Sequence, residues 1–331
     1  MPTVRSLSLL VSLLILSLVS GACAVPSVTP IQQTPSIPWP SAWPSPFPAP
    51  APAPAPPSSS NRPLLFPLIG PQAWQAEVRL VIQELVSNLS PENAAKVRNI
   101  PLVVDPNQGD VNAFAGCDDQ GSPFIAATEG LLEAIDAISQ TQANDDLYGT
   151  RTYDQYTSTV LPRLAQGKGS SAALPLGILP FTTALNPTRL SHAHELFDEI
   201  VAFTFGHELS HHYLGHTGCA NGQASAGGPN PAALGVMLTR VLPGLNQPNE
   251  IAADSAGCLN TMDSGRSRRP KYVWTERGGL TLLDFFARLE RASGLSPLNP
   301  VGFLLSHPNP AIRIPIVKAV AQTWRFQHPG Q

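Results

Sequence analysis

Fourteen of the chain's 36 prolines fall between Pro26 and Pro63, and no charged residue occurs from Ala24 to Asn61. Proline removes a backbone donor and fixes φ, so this stretch cannot join a helix interior or a central strand. The 331-residue chain is thereby divided into a leader and a remainder of about 270 residues, enough for one substantial core. The 20 basic residues are outnumbered by 23 acidic ones, and no basic excess marks a nucleic-acid binder.

Residues 1–24 read as a secretory or lipoprotein signal: Arg5 is the only charge, and the apolar run Ser6–Ser20 is short for a membrane span of about 20 residues. Ala22-Cys23-Ala24 fits cleavage after Ala24, while Ser20-Gly21-Ala22-Cys23 resembles a bacterial lipobox in which Cys23 carries the lipid. Either route exports the protein, free or tethered to a membrane through Cys23. Residues 25–63 read as a disordered linker favouring polyproline II, able to hold the remainder (64–331) on the order of 100 Å away at ~3.1 Å per residue.

Within the remainder, apolar spacing predicts helices over Trp74–Leu89, Glu129–Ser139, Glu195–Leu214, Pro231–Leu242, Asn249–Asn260, Thr281–Ala292 and Ile312–Trp324. Ser90-Pro91-Glu92 reads as a further helix start. Short strands are predicted at Ile100–Val104, Val111–Ala115 and Phe124–Ala127. Residues 140–190 carry no clear periodicity and read as irregular, a possible insertion over an active site. Cys117 reads as a buried free thiol.

The chemistry concentrates in His207-Glu208-Leu209-Ser210-His211, an H-E-x-x-H on a predicted helix. Residues four apart share a helix face, so both imidazoles can hold one metal ion. Glu208 is rotated by about 100° from His207 and can reach a water beside the ion as general base. A catalytic zinc needs a third protein ligand, for which His212, His216, Glu250, Asp254 and His307 are candidates. His212 points away, and His216 does not fit the H-E-x-x-H-x-x-G-x-x-H spacing. It reads as a surface residue at the helix end, and His192 and His194 as solvent-facing residues before the helix. Glu250 and Asp254 lie four apart on an otherwise apolar helix, so one can ligate while the other hydrogen-bonds a ligand imidazole.

These blocks, in order, resemble the HtpX-like and CaaX-prenyl-protease-like zinc metallopeptidases, a gluzincin group with soluble periplasmic BepA-type members. The blocks are Val111-Asn112-Ala113-Phe114-Ala115, Thr128-Glu129-Gly130-Leu131-Leu132, Asp198-Glu199, the H-E-x-x-H with His216, Glu250-x-x-Ala253-Asp254, and Ser306-His307-Pro308 with Arg313-Ile314. The resemblance covers residues ~75–325. Ala252 stands where the family has a second Glu or Gln, and Cys117-Asp118-Asp119-Gln120 where it often has a glycine-rich turn. The resemblance implies an α+β, mainly α fold: a zincin-like domain with a small mixed sheet and an active-site H-E-x-x-H helix. It implies one Zn2+ on His207, His211 and Glu250, with Glu208 as base and Asp254 orienting a ligand. It also implies that the Asn112-Ala113-Phe114 strand edge pairs with an extended or unfolded polypeptide substrate. His307 is the candidate donor to the tetrahedral oxyanion, and Arg313 a partner for a nearby carboxylate. Because Cys219 and Cys258 both follow ligand helices, a Cys219–Cys258 disulfide joining them is expected. The implied activity is an exported zinc endopeptidase of envelope-protein quality control. The alternative is a latent, chaperone-like binding lipoprotein that uses the same groove.

Overall fold

Asn186 accepts hydrogen bonds from the Thr188 and Arg189 N–H groups, and Pro187 follows it, so the longest helix starts where capping chemistry dictates. The structure, a computed structural model, describes residues 68, 70–166, 171–219, 247–268, 272–294, 307 and 310–330. All lie in one compact unit spanning 61–331. The elements are α1 (Pro71–Ser87), α2 (Pro91–Val97), β1 (Leu102–Asp105), β2 (Ala113–Cys117), β3 (Pro123–Thr128), α3 (Glu129–Tyr148), α4 (Thr152–Leu164), α5 (Phe181–Ala184), α6 (Pro187–Tyr213), α7 (Gln247–Ser267), α8 (Arg277–Ala292) and α9 (Pro310–Gln327). The described chain is mainly helical with one small mixed sheet, as expected for an α+β protein. The 1–24 signal with Cys23, the 25–63 linker and the Pro231–Leu242 helix lie outside the described residues. No described helix is long and apolar enough to cross a membrane.

From Leu196 to Tyr213, α6 is buried on every face. That is the mark of a central helix rather than an amphipathic surface one. It packs against α3, α7 and α8, and its Phe197, Phe203 and Phe205 join Leu131, Ile135 and Phe285 in the main core. The strand order is β1-β3-β2, with β1 parallel and β2 antiparallel to β3. Ala113 pairs with Ala127 and Phe114 with Ala126, and Asp118 closes the hairpin by accepting the Gln120 and Ser122 N–H groups. β3 runs straight into α3: Thr128 accepts the Leu131 N–H and donates to the Asp110 carbonyl. Gly130 follows because a Cβ there would lie 2.2 Å from that same carbonyl.

Three expectations are corrected. The second strand is Ala113–Cys117 rather than Val111–Ala115, because Asn112 spends its N–H and C=O on Thr128. Much of 140–190 is helical rather than irregular: α3 continues to Tyr148, and α4 and α5 follow, with 165–180 outside any helix and 167–170 outside the described residues. α4 packs on α3 and α8, its start fixed by Asp145, whose carboxylate accepts the Thr152 and Tyr153 N–H groups. Cys219 pairs with Cys117 at the end of β2 rather than with Cys258, and Cys117 is therefore not a free thiol. The Cys117 and Cys219 Cα atoms lie 6.0 Å apart, within disulfide range. Cys258 is a buried free thiol on the face of α7 turned to Met262 and the Val317 carbonyl of α9, and burial pushes it up to about 12.

The α6–α7 crossing sets the site. A Cβ on Gly257 would lie 2.7 Å from the His207 nitrogen, and one on Gly206 3.2 Å from the Gly257 carbonyl. The two backbones are thus in contact, and Ser210 Oγ donates to both the His207 and the Ala253 carbonyl oxygens. Alanine at 257 would gain helix propensity, up to about 1 kcal/mol. Overpacking against backbone costs about 1–3 kcal/mol, and no flexible side chain is there to yield. Gly257→Ala is therefore expected to lower stability by about 1–2 kcal/mol, read as a reduced urea midpoint at unchanged m-value.

Candidate metal centre

His207 and His211 project from one face of α6, and Glu250 meets them from the first turn of α7. His207 Nδ1 lies 2.9 Å from Asp254 Oδ1. A carboxylate only accepts, so that nitrogen carries a proton and Nε2 is the atom turned to the cluster, where either a second proton or an ion takes its lone pair. His207 Nε2 lies 3.0 Å from His211 Nε2 and 3.4 Å from Glu250 Oε2, and His211 Nε2 lies 3.3 Å from Glu250 Oε1. Ligands at ~2.0–2.1 Å from a tetrahedral ion stand about 3.3 Å apart. Lone pairs converging at that spacing in a buried place require a cation or a shared proton between them. The donor set therefore fits a metal ion, and the predicted ligand set of His207, His211 and Glu250 is brought together.

Asp254 is fully buried and accepts from Arg313 Nε at 2.6 Å and Arg313 Nη2 at 2.7 Å. Arg313 is buried too, with its Nη1 3.4 Å from Glu250 Oε2. The expectation that Arg313 pairs with a carboxylate near the site is met by Asp254. Burial penalises Asp254's charge, but the Arg313 charge and hydrogen bonds outweigh it and hold the carboxyl down at about 2. Burial likewise opposes charging His207, yet the hydrogen bonds to Asp254 and Glu250 push it up to about 10. Glu250 is also desolvated, and the His307 charge with the hydrogen bonds from the three imidazoles holds it far below the carboxylate range. Burial lowers His211 instead, and the neighbouring His207 charge adds to that.

His307 reaches the same cluster. Its Nδ1 is 2.7 Å from Glu250 Oε2 and 3.3 Å from His207 Nε2, and its Nε2 donates to the Ala113 carbonyl at 2.9 Å. It belongs with His207, His211 and Glu250 to one buried group able to hold a metal ion. Both ring nitrogens are engaged, so a donor role toward an oxyanion requires the ring to leave these partners. Its neighbours Ser306 and Pro308 lie outside the described residues. Glu208 is buried with Oε1 3.5 Å from His307 Nε2, and its Oε2 has no hydrogen-bond partner. A buried carboxylate oxygen left bare costs free energy unless something polar occupies its surroundings.

Asn112, Ala113 and Phe114 lie at the start of the edge strand β2, all buried, with the Ala113 carbonyl held by His307. The sequence predicts His216 as a surface residue at the helix end. It is half-buried instead, with its Nδ1 3.0 Å from His211 Nδ1 and its backbone N–H donating to the His211 carbonyl. The C-terminal turn after α6, with Gly215 at φ 84°, folds it back, a geometry that spacing along a helix does not express. His212 is not a ligand: its Nε2 donates to the Phe124 carbonyl of β3, and burial lowers it to about 4. His192 and His194 lie on α6 rather than before it, and each meets carboxylates.

Comparison with protein-family models, curated proteins and solved structures finds no match.

Removing Arg313 strands a buried charge, a change that costs about 3–5 kcal/mol. Arg313→Ala is expected to destabilise the metal-free protein by that amount in urea unfolding. Arg313→Lys, which cannot reproduce the two-pronged contact, should fall between it and wild type.

Proposed function

We propose that this protein is a zinc-dependent endopeptidase of the HtpX-like gluzincin type, exported to the bacterial cell envelope. The observation that carries the reading is the convergence of His207, His211 and Glu250 at tetrahedral spacing beside Glu208, whose Oε2 is buried and bare. The motif order from Asn112 to Arg313 supports the family assignment. The leader, with Cys23 as the lipidation candidate, supports export and attachment to a membrane facing the periplasm.

His207 and His211 through Nε2, and Glu250 through its carboxylate, would hold the ion. When bound, zinc polarises a substrate carbonyl and brings the pKa of water down toward ~7. Asp254, clamped by Arg313, fixes the tautomer and tilt of His207. Glu208 takes the proton of the attacking water and returns it to the departing amine nitrogen, so the peptide C–N bond breaks with protons balanced. The β2 edge would offer backbone groups to an extended polypeptide once His307 releases the Ala113 carbonyl.

A second reading, that the enzyme is latent, is favoured by one observation. His307 adds a fourth donor to the cluster and holds the Ala113 carbonyl, a backbone group at the edge where substrate would lie. Closed four-ligand sites are structural, whereas catalytic ones keep a position open.

Glu208→Gln is expected to keep one zinc at this centre and to lower cleavage of unfolded casein by about 10²–10⁴-fold. His211→Ala should lose both the ion and the activity. Unchanged cleavage in Glu208→Gln would sink the assignment. A rise in cleavage in His307→Ala would establish latency.

A further inference from the structure

A second group of titratable side chains gathers farther up α6, where α1 crosses it. His194 and Asp198 lie four apart on α6 and share a face, and Glu77 reaches them from α1. His194 Nε2 is 3.1 Å from Glu77 Oε1 and 3.8 Å from Asp198 Oδ1, and one donor atom of each residue lies within 4.8 Å of the others. Asp198 is only 8% exposed, its Oδ1 faces His194 without a hydrogen bond to it, and its carboxyl also lies against that of Glu77. The His194 side chain is 47% exposed, which leaves a way in from solvent. Arg268 does not fill the place. Its Nη1 is 2.9 Å from Glu84 Oε2, and its Nη2 lies 3.6 Å from Asp198 Oδ2, the other oxygen. The carboxyls of Glu77, Glu84 and Asp198 thus share this place with two basic groups, Arg268 and His194.

We propose that Glu77, His194 and Asp198 form a second divalent-cation site, distinct from the first centre. One imidazole nitrogen and two carboxylate oxygens suit a borderline first-row dication such as Zn2+. Asp198 is nine residues from His207 on one helix, or about 14 Å at 1.5 Å per residue. Co-catalytic ions stand ~3.5–4 Å apart, so this ion does not share the chemistry of the first. It clamps α1, the first described helix, to the helix that carries His207 and His211. The hydrogen bond to Glu77 raises His194, which must give up that proton to ligate, whereas Asp198 gains from a cation. Burial first, then the Glu77 charge, pushes Asp198 up to about 7, well above its ordinary 3.8. The unfolded carboxyl ionises near 3.8 and the folded one near 7, so without an ion stability falls as pH rises through that window. A bound cation removes that penalty.

The test counts zinc per full-length chain at pH 7.5 after equilibrium dialysis, with thermal unfolding alongside. Wild type is expected to hold two ions, and His194→Ala, Asp198→Asn and His211→Ala one each. The double variant His194→Ala/His211→Ala should hold none. In the His211→Ala background, Zn2+ at about a hundredfold excess over Kd should raise Tm on the order of 5 °C, and His194→Ala should abolish the rise. His194 is half-exposed, so its truncation leaves the core intact. One ion in wild type and none in His211→Ala would overturn the second site while leaving the first. Two ions in both wild type and His194→Ala would overturn it as well. Loss of the first centre alone would appear as His211→Ala holding as many ions as wild type.

Discussion

A carboxylate taken wholly out of water must find compensating charge, and Asp254 is such a group. It lies on α7, accepts from His207 on α6 and is gripped by Arg313 on α9. Three helices far apart in sequence are therefore registered by one anion. Their packing must satisfy that anion's oxygens as well as bury apolar surface. The His207 tautomer follows from the same contact, and with it the direction of the lone pair at the centre. A hydrophobic core tolerates substitution of similar volume, but this arrangement does not, because each partner removed leaves another buried and unpaired.

Much of the site was legible in the sequence because its signals are local. His207 and His211 are one helical turn apart, as are Glu250 and Asp254, and helix periodicity alone puts each pair on one face. Capping chemistry was equally readable: Ser90 accepts the Asn93 N–H at the start of α2, as Ser-Pro-Glu suggests. What stayed hidden depends on contacts distant along the chain. The second half of α3 reads as polar, but Gln140 is buried beneath Arg189, whose guanidinium donates to its carbonyl and its side-chain oxygen. Nothing near Gln140 in sequence announces that partner. In α4, Pro162 interrupts the helical pattern. The Cys117–Cys219 pairing depends on where a strand end meets the loop after α6, a question that equal spacing from two ligands does not answer.

Small residues at the α6–α7 crossing carry information of another kind. Gly206, Ala253 and Gly257 look unremarkable beside the histidines, yet their lack of bulk lets the two backbones touch. The reach of a glutamate side chain is fixed, so the distance between helix axes decides whether Glu250 meets His207 at all. A chemical motif and a steric one are thus interleaved over the same dozen residues. Glu199 extends this logic away from the centre: buried on α6, it accepts from Tyr272 and from the N–H and hydroxyl of Thr275, tying the approach to α8 to the same helix.

The Cys117–Cys219 bond closes a covalent ring of the intervening chain. Inside the ring lie β3, α3 to α6, and with them His207, Glu208 and His211. Outside it lie Glu250, Asp254, His307 and Arg313. The centre is therefore assembled across a topological seam, half from a loop whose ends are locked and half from a tail that must dock onto it. An unfolded but oxidised chain keeps the first half tethered, with fewer conformations to search, while the second half remains unrestrained. The His207–Asp254 contact and the packing of α6 on α7 and α8 close that seam, and an ion on His207, His211 and Glu250 would add one more stitch across it.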